Sequence, residues 1–250
     1  MTAKYNAIGD SYRRFKETAA LCGPERAHVT ALLGDVRSER VLDLGCGYGY
    51  YTQQIHTLGA AHVFGVDVSP EMIRLARQSP PDASTGIHFQ VGDAEDSTVI
   101  GEFETVVAVW LFNYADSVNS LHNMMTTVAG HLAPGGRLVA ITVHPAFDPG
   151  KQDWEEYGLR TDSYTELSDR RRFQSSLLTP ETAIPIEHSQ WNAATYAHAA
   201  RDVGLSDLQW SVPAIPETEL LKRGAGFWDA FRSNPFIAGF TTRSSPTARF

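Results

Sequence analysis

Val41-Leu42-Asp43-Leu44-Gly45-Cys46-Gly47-Tyr48-Gly49 decides the fold. Arg40 to Leu44 carries three large aliphatic residues and reads as a buried strand, the glycines impose a sharp turn, and Tyr50 to Leu58 has helical character. Strand, glycine turn and helix, in that order, form the place where doubly wound sheets bind nucleotide-like ligands. Three glycines at alternate positions remove the Cβ atoms that would keep the backbone from closing on a ligand. Free N–H groups at the start of the helix can face a polar or anionic group. Asp67 ends the next aliphatic strand, Val63 to Val66, where a carboxylate can accept both hydroxyls of a ribose. A dinucleotide turn would read G-x-G-x-x-G. Here the pattern is G-x-G-x-G, and Tyr50 stands where a dinucleotide site needs its last glycine.

Outward from this turn, periodicity predicts strands over 40–45, 62–67, 87–91, 104–110 and 136–143, with helices near 50–58, 69–78 and 117–132. Ser69 followed by Pro70 is a helix start, and Pro134-Gly135-Gly136 closes a helical stretch and turns into the fifth strand. Such alternation predicts an α/β fold, a doubly wound parallel sheet covered on both faces. Ahead of it, residues 4–34 read as two helical segments separated by Cys22-Gly23-Pro24. The first places Ile8, Tyr12, Phe15 and Ala19 on one face, a candidate lid. After Val143 the pattern breaks. Residues 144–190 are rich in Pro, Asp, Glu and Ser, with strand-like stretches at 173–178 and 184–190. An insertion there sits over the carboxyl edge of the sheet and is the expected substrate cap. Residues 191–250 complete the sheet with a helix over 192–203, a strand over 208–212, a helix near 217–232 and a strand over 236–242. The whole, 1–250, reads as one domain.

The 250 residues are 42% hydrophobic and 20% charged, an ordinary globular composition with no apolar run long enough to span a bilayer. The N-terminus lacks the apolar stretch of a signal peptide, and two cysteines are too few for a disulfide framework or a cysteine-rich zinc site. A cytoplasmic protein without a metal is therefore expected, and no membrane partner. A net charge of −8 argues against a nucleic-acid partner, and the short run Arg170-Arg171-Arg172 reads as a solvated stretch.

The run Asp43 to Gly49 resembles the D-x-G-x-G-x-G loop of class I methyltransferases, which use S-adenosylmethionine (SAM). Gly92-Asp93-Ala94-Glu95 after the third strand and Trp110-Leu111-Phe112-Asn113-Tyr114 after the fourth extend the likeness. The resemblance implies a mostly parallel seven-stranded sheet with SAM as cofactor. It puts Gly45, Cys46 and Gly47 beneath the methionine part and Asp67 on the ribose. Val68 and Met72 would flank the adenine, with Asp93 and Ala94 at its edge. Trp110 would lie beside the sulfonium and Tyr12 would come from the lid. Phe112, Asn113, Tyr114, Tyr164, Trp191 and Trp228, together with Tyr157, are the candidate substrate contacts. His144, leaving the fifth strand, is the candidate base, with His188 of the cap behind it.

More narrowly, the chain resembles the toxoflavin-type enzymes that N-methylate an azapteridine ring. Tyr5-Asn6-Ala7-Ile8-Gly9, Trp110 to Val118 and Gly226 to Phe231 carry that likeness. It implies a small heterocyclic substrate in secondary metabolism. The alternatives are an O-methyltransferase on a phenolic or hydroxylated metabolite, or a SAM-binding paralogue without turnover. The tail from Arg243 to Phe250 is polar and has no assigned role.

Overall fold

The structure is a computed structural model in which residues 9–78, 86–96, 101–151 and 153–246 are described. In chain order the elements are α1 (Gly9–Thr18), α2 (Cys22–Leu33), β1 (Arg40–Leu44), α3 (Tyr50–Thr57), β2 (His62–Asp67), α4 (Pro70–Gln78), β3 (Ile87–Val91), β4 (Phe103–Val109), α5 (Val118–His131) and β5 (Leu132–Val143). There follow β6 (Leu159–Glu166), β7 (Arg170–Leu178), β8 (Ala183–Trp191), α6 (Ala193–Asp202), β9 (Gln209–Ser211), α7 (Glu217–Arg223), α8 (Asp229–Ser233) and β10 (Ile237–Arg243).

Seven strands form one sheet in the order β3-β2-β1-β4-β5-β10-β9. The first five are parallel, and β10 is antiparallel to both of its neighbours. This is the doubly wound, mostly parallel seven-stranded sheet that the sequence predicts. Strand alternation divides the core in two. Val41, Val63, Val107 and Val139 face α2 and α3 through Val29, Leu33, Tyr51 and Ile55. Leu42, Val106 and Leu138 face α5 and α6 through Leu121, Met124 and Tyr196. Because β1 and β4 are covered on both faces, their sequences read as aliphatic runs rather than as alternating ones. The chain order reverses between β1 and β4, which opens a crevice at their carboxyl ends.

Ser69 caps α4 as expected, its Oγ accepting from Met72 N at 3.2 Å. Three boundaries differ from expectation. Cys22-Gly23-Pro24 opens α2 instead of separating two helices, since a proline in the first turn lacks only an N–H that would be unpaired anyway. β5 begins at Leu132 and runs through Pro134-Gly135-Gly136, with a register shift opposite Phe103 and Thr105. The expected helix near 217–232 breaks at Gly224, which takes φ +82°, into α7, a short 3₁₀ turn and α8.

The cap contains three antiparallel strands, β6-β7-β8, where two were expected. β6, Leu159-Arg160-Thr161-Asp162-Ser163-Tyr164-Thr165-Glu166, is mostly exposed, so it carries no apolar alternation to announce it. β8 packs against β5 and against the 3₁₀ turn Phe112–Tyr114 that follows β4, which seats the cap on the carboxyl edge of the sheet. Among the described residues no helix is long and apolar enough to cross a membrane. The likeness at Tyr5 to Ile8 lies outside the described residues.

Candidate functional site

The glycine turn is clamped to the end of β2. Gly45 N and Cys46 N both donate to Val66 O, at 2.7 and 2.9 Å. One residue on, Asp67 accepts from Gly47 N through Oδ2 at 2.8 Å and from Ser69 N through Oδ1 at 2.9 Å. The carboxylate is thus locked between the turn and the start of α4. Burial pushes its pKa up, and the two backbone donors pull it part of the way back. Gly47 takes φ +54°, and a Cβ there would meet nothing within 4 Å, so the turn faces open space. Gly49 differs: a Cβ there would lie 2.7 Å from Phe89 Cζ, so the last glycine lets α3 pack on β3.

Three recesses meet at this turn. The first runs from Gly45, Gly47 and Asp67 past Val68, Met72, Gly92 and Ala94 to Trp110, Leu111 and Tyr114, closed by Tyr12 and Glu187. Its lining is mostly apolar, with the part-buried carboxylate of Asp67 beside the turn and Glu187 at the rim. On the other side of the turn, Asp43, Cys46, Tyr48, Tyr50 and Lys16 line a narrower extension. Asp43 is buried, accepts from Thr52 Oγ1 at 2.6 Å, and is pushed up to about 7 by desolvation. A third, apolar recess lies beyond Trp110, bounded by Phe15, Leu21, Leu159, Leu177, Ile186 and Phe236, with Asn113 and His188 also on its wall.

Trp110 lines all three recesses. It takes φ +57°, a left-handed conformation that is rare for a bulky residue and strained by roughly 1–3 kcal/mol. Three contacts hold it there. Its backbone N donates to Ile141 O at 2.9 Å, its indole Nε1 donates to Glu25 Oε2 at 2.9 Å, and its ring stacks on Phe236 at 5.8 Å between centroids. Glu25 is wholly buried and also accepts from Lys16 Nζ and from Tyr51 Oη.

Residues 41–136 match the methyltransferase domain family. Over that span the chain is similar to methyltransferase domains, and its sheet has the fold of SAM-dependent methyltransferase structures. A ubiquinone biosynthesis O-methyltransferase of Xanthomonas oryzae pv. oryzae is 29% identical over 119 residues, 47% of this chain. That match spans about half of the relative's own length, 48%. Among solved structures, a SAM-dependent methyltransferase from Mesorhizobium loti aligns with a TM-score of 0.65 at 21% identity, over 88% of this chain and 97% of that one. The 1,6-didemethyltoxoflavin-N1-methyltransferase of Burkholderia thailandensis aligns with a TM-score of 0.58 at 15% identity, over 96% of this chain and 85% of that one. At these identities both structures share the fold with this chain.

The residues around the turn fit S-adenosylmethionine. The open face of Gly47 leaves room over the turn, and Asp67 lies beside it on the recess wall. Val68, Met72 and Ala94 offer apolar walls for a base. The extension is lined by the Asp43 carboxyl and by Lys16, whose ammonium is paired with Glu25. Among the sequence candidates, Tyr12, Gly45, Gly47, Asp67, Val68, Met72, Ala94 and Trp110 line the first recess, and Cys46 lines its extension. Asp93 is not part of the wall; its Oδ1 turns back to accept from Glu95 N at 3.0 Å.

The substrate candidates divide. Asn113 and Tyr114 line the apolar recess. Phe112, Trp191 and Trp228 are fully buried in the core clusters instead. Trp191 Nε1 donates to Phe112 O at 3.2 Å, and Trp228 stacks on Tyr157, whose hydroxyl is bound to Phe227 O. Tyr164 is half exposed and stacks on Phe173. His144 lies outside all three recesses, its Nδ1 accepting from Ala146 N at 3.1 Å, and burial lowers its pKa. His188 lines the apolar recess in its place. The site residues that sequence reasoning missed are Lys16, Glu25 and Glu187. Lys16 and Glu25 look like an ordinary charged helix surface in sequence, and only the packing of α1 on α2 shows them to be buried.

Proposed function

We propose that this protein transfers a methyl group from SAM to a ring nitrogen of a small, planar, azapteridine-like heterocycle. One observation carries the reading. Tyr12, Trp110 and Tyr114 line both the cofactor recess and the apolar recess beside it, so a ring held in the second abuts whatever occupies the first. When bound, SAM supplies an electrophilic methyl on a positively charged sulfur. The chain's own contribution is placement and exclusion of water, and well-oriented reactants gain roughly 7–11 kcal/mol in that way. Trp110 and Tyr114 present aromatic faces at the junction, where a cation is attracted by ring quadrupoles. Glu25 and Lys16 neutralise each other at the recess wall, so an entering ring meets no uncompensated charge. An uncharged acceptor suits such a pocket. The Burkholderia neighbour is named for N1-methylation of this kind of ring, which guides the choice of acceptors.

O-methylation is the second reading, favoured by the O-methyltransferase identity of the curated relative matched over the core. A phenol needs a base at its hydroxyl, and His144 is committed to the Ala146 turn outside the recess. The test is production of S-adenosylhomocysteine (SAH) from SAM, followed by chromatography, over a panel of azapteridines and phenols. Turnover of azapteridines supports N-methylation. Turnover of phenols alone would replace it with O-methylation, and SAH binding without any turnover would replace it with a SAM-binding protein.

A further inference from the structure

Asn113 and His188 line the apolar recess, and each carries a buried side-chain atom, Asn113 Oδ1 and His188 Nδ1, that has no hydrogen-bond partner among the described residues. Both residues are almost wholly buried, 3% and 4% exposed. Unpaired buried polar atoms are rare in folded proteins, and two on the wall of one cavity mark a place where a ligand supplies the partners. The other polar groups of that wall are engaged, since the Glu25 carboxylate takes donors from Lys16, Tyr51 and Trp110.

Both side chains are held from behind. The His188 ring stacks face to face on Phe173 at 5.0 Å and meets the edge of Phe236 at 5.8 Å, while its Nε2 lies 3.0 Å from Ser175 Oγ. Burial lowers its pKa to about 3, so the ring is neutral at physiological pH. The 3₁₀ turn that carries Asn113 is tied to the strand that carries His188. Ser189 Oγ donates to Ala115 O at 3.2 Å and Trp191 Nε1 to Phe112 O at 3.2 Å. The two polar atoms therefore belong to one rigid unit, built from the end of β4 and from β8.

We propose that Asn113 and His188 are the specificity-determining pair of the acceptor pocket, selecting a planar, uncharged ring with a lactam edge. In this arrangement Asn113 Oδ1 accepts from a ring N–H. The Ser175 hydroxyl donates to His188 Nε2, which leaves Nδ1 carrying the proton as a donor to a ring carbonyl. The inference rests on reading the apolar recess as the acceptor site. It adds the chemistry by which that site chooses its ring: neutral lactams are taken, and rings without an N–H and carbonyl pair are not.

The experiment is calorimetric titration of the full chain saturated with SAH, using two flat probes of similar size. Lumazine carries lactam groups, and quinoxaline carries neither N–H nor carbonyl. The variants are Asn113→Leu, His188→Phe, and His188→Gln, which restores a donor. Lumazine is expected to bind more tightly than quinoxaline, and to lose about tenfold in affinity with Asn113→Leu and with His188→Phe, the usual effect of one lost hydrogen bond. His188→Gln recovers part of the loss, and quinoxaline binding stays level or improves. SAH affinity, measured on each variant, reports whether the fold and the cofactor site are intact. Equal binding of both probes, or lumazine binding indifferent to both substitutions while SAH still binds, would overturn the specificity pair and leave the methyltransferase reading standing. Failure of the wild-type chain to bind SAH would overturn both.

Discussion

Glu25→Gln keeps the shape of a buried side chain and removes its charge, and the structure allows its effect to be worked out. Glu25 is completely buried in the first turn of α2 and accepts from Lys16 Nζ, from Tyr51 Oη at 2.5 Å and from Trp110 Nε1 at 2.9 Å. Lys16 is only 5% exposed, so the substitution strands an ammonium away from water, which costs about 3–5 kcal/mol. The bonds from Tyr51 and Trp110 also fall from charge-assisted to neutral, a further loss of roughly 1 kcal/mol. Against a total stability of roughly 5–15 kcal/mol, this is a large fraction.

The double variant, Lys16→Met with Glu25→Gln, removes the stranded charge and should recover about 2 kcal/mol relative to Glu25→Gln alone. Urea unfolding followed by circular dichroism measures both. SAH titration of the same proteins reads the functional side, since Glu25 holds the strained Trp110 at the junction of the recesses; affinity should fall about tenfold, or ~1.4 kcal/mol. Glu25→Gln within about 1 kcal/mol of wild type would refute this account, as would a double variant equal to the sum of the two single ones.

Three further outcomes follow from the cofactor turn. Asp67→Asn should weaken SAH about 10- to 100-fold by calorimetry, the usual loss for a charge-assisted bond. Asp67 accepts from Gly47 N and Ser69 N through separate oxygens, and the substitution turns one of these acceptors into a donor, so the variant should be less stable by roughly 1–3 kcal/mol in urea unfolding at pH 8; unchanged stability would contradict the assignment. Asp43, pushed up to about 7, holds its proton more tightly folded than unfolded. Its contribution to stability is therefore fully present below the unfolded carboxylate pKa and is lost as pH rises through about 7. Asp43→Asn should flatten that slope in urea titrations, and an unchanged slope would remove Asp43 as its source. Gly47→Ala forces a left-handed alanine but meets no atom, so it should cost roughly 1–2 kcal/mol and weaken SAH. Gly49→Ala adds a collision with Phe89 and should destabilise the fold more than Gly47→Ala does; the reverse order in thermal melts would mean the two glycines have been misread.

The sheet was legible in sequence because a parallel strand covered on both faces is largely apolar, and β1 and β4 follow that rule. Its ligand-binding edge was legible for a related reason. Gly47 and Asp67 lie close in sequence to strand ends, so the topology alone brings them together at 2.8 Å. β6 was hidden because exposure on the cap leaves its residues free to be polar. The aromatic candidates misled for the opposite reason. Phe112, Trp191 and Trp228 are aromatic because large rings fill the core, and the same residue type would be expected on a pocket wall.

Burial of charge and of polar groups was the least legible property, and it shapes the acceptor side of the site. Lys16 and Glu25 are nine residues apart, and sequence alone would leave them on solvated helix faces. Packing of α1 on α2 turns them into a closed pair, whose carboxylate reaches across to the indole of Trp110, 85 residues away. Asn113 and His188 are brought onto one wall by the cap strand β8 lying on the turn after β4. The domain thus separates two tasks in sequence space. Local motifs at the ends of β1 and β2 build the cofactor cradle, where the ligand is fixed and spacing suffices. Long-range contacts between the N-terminal helices, the β4 turn and the cap build the apolar recess that we propose as the acceptor pocket. Substitutions in the cap can therefore change which ring is accepted while leaving the glycine turn untouched, and this is why one cofactor cradle can serve many acceptors.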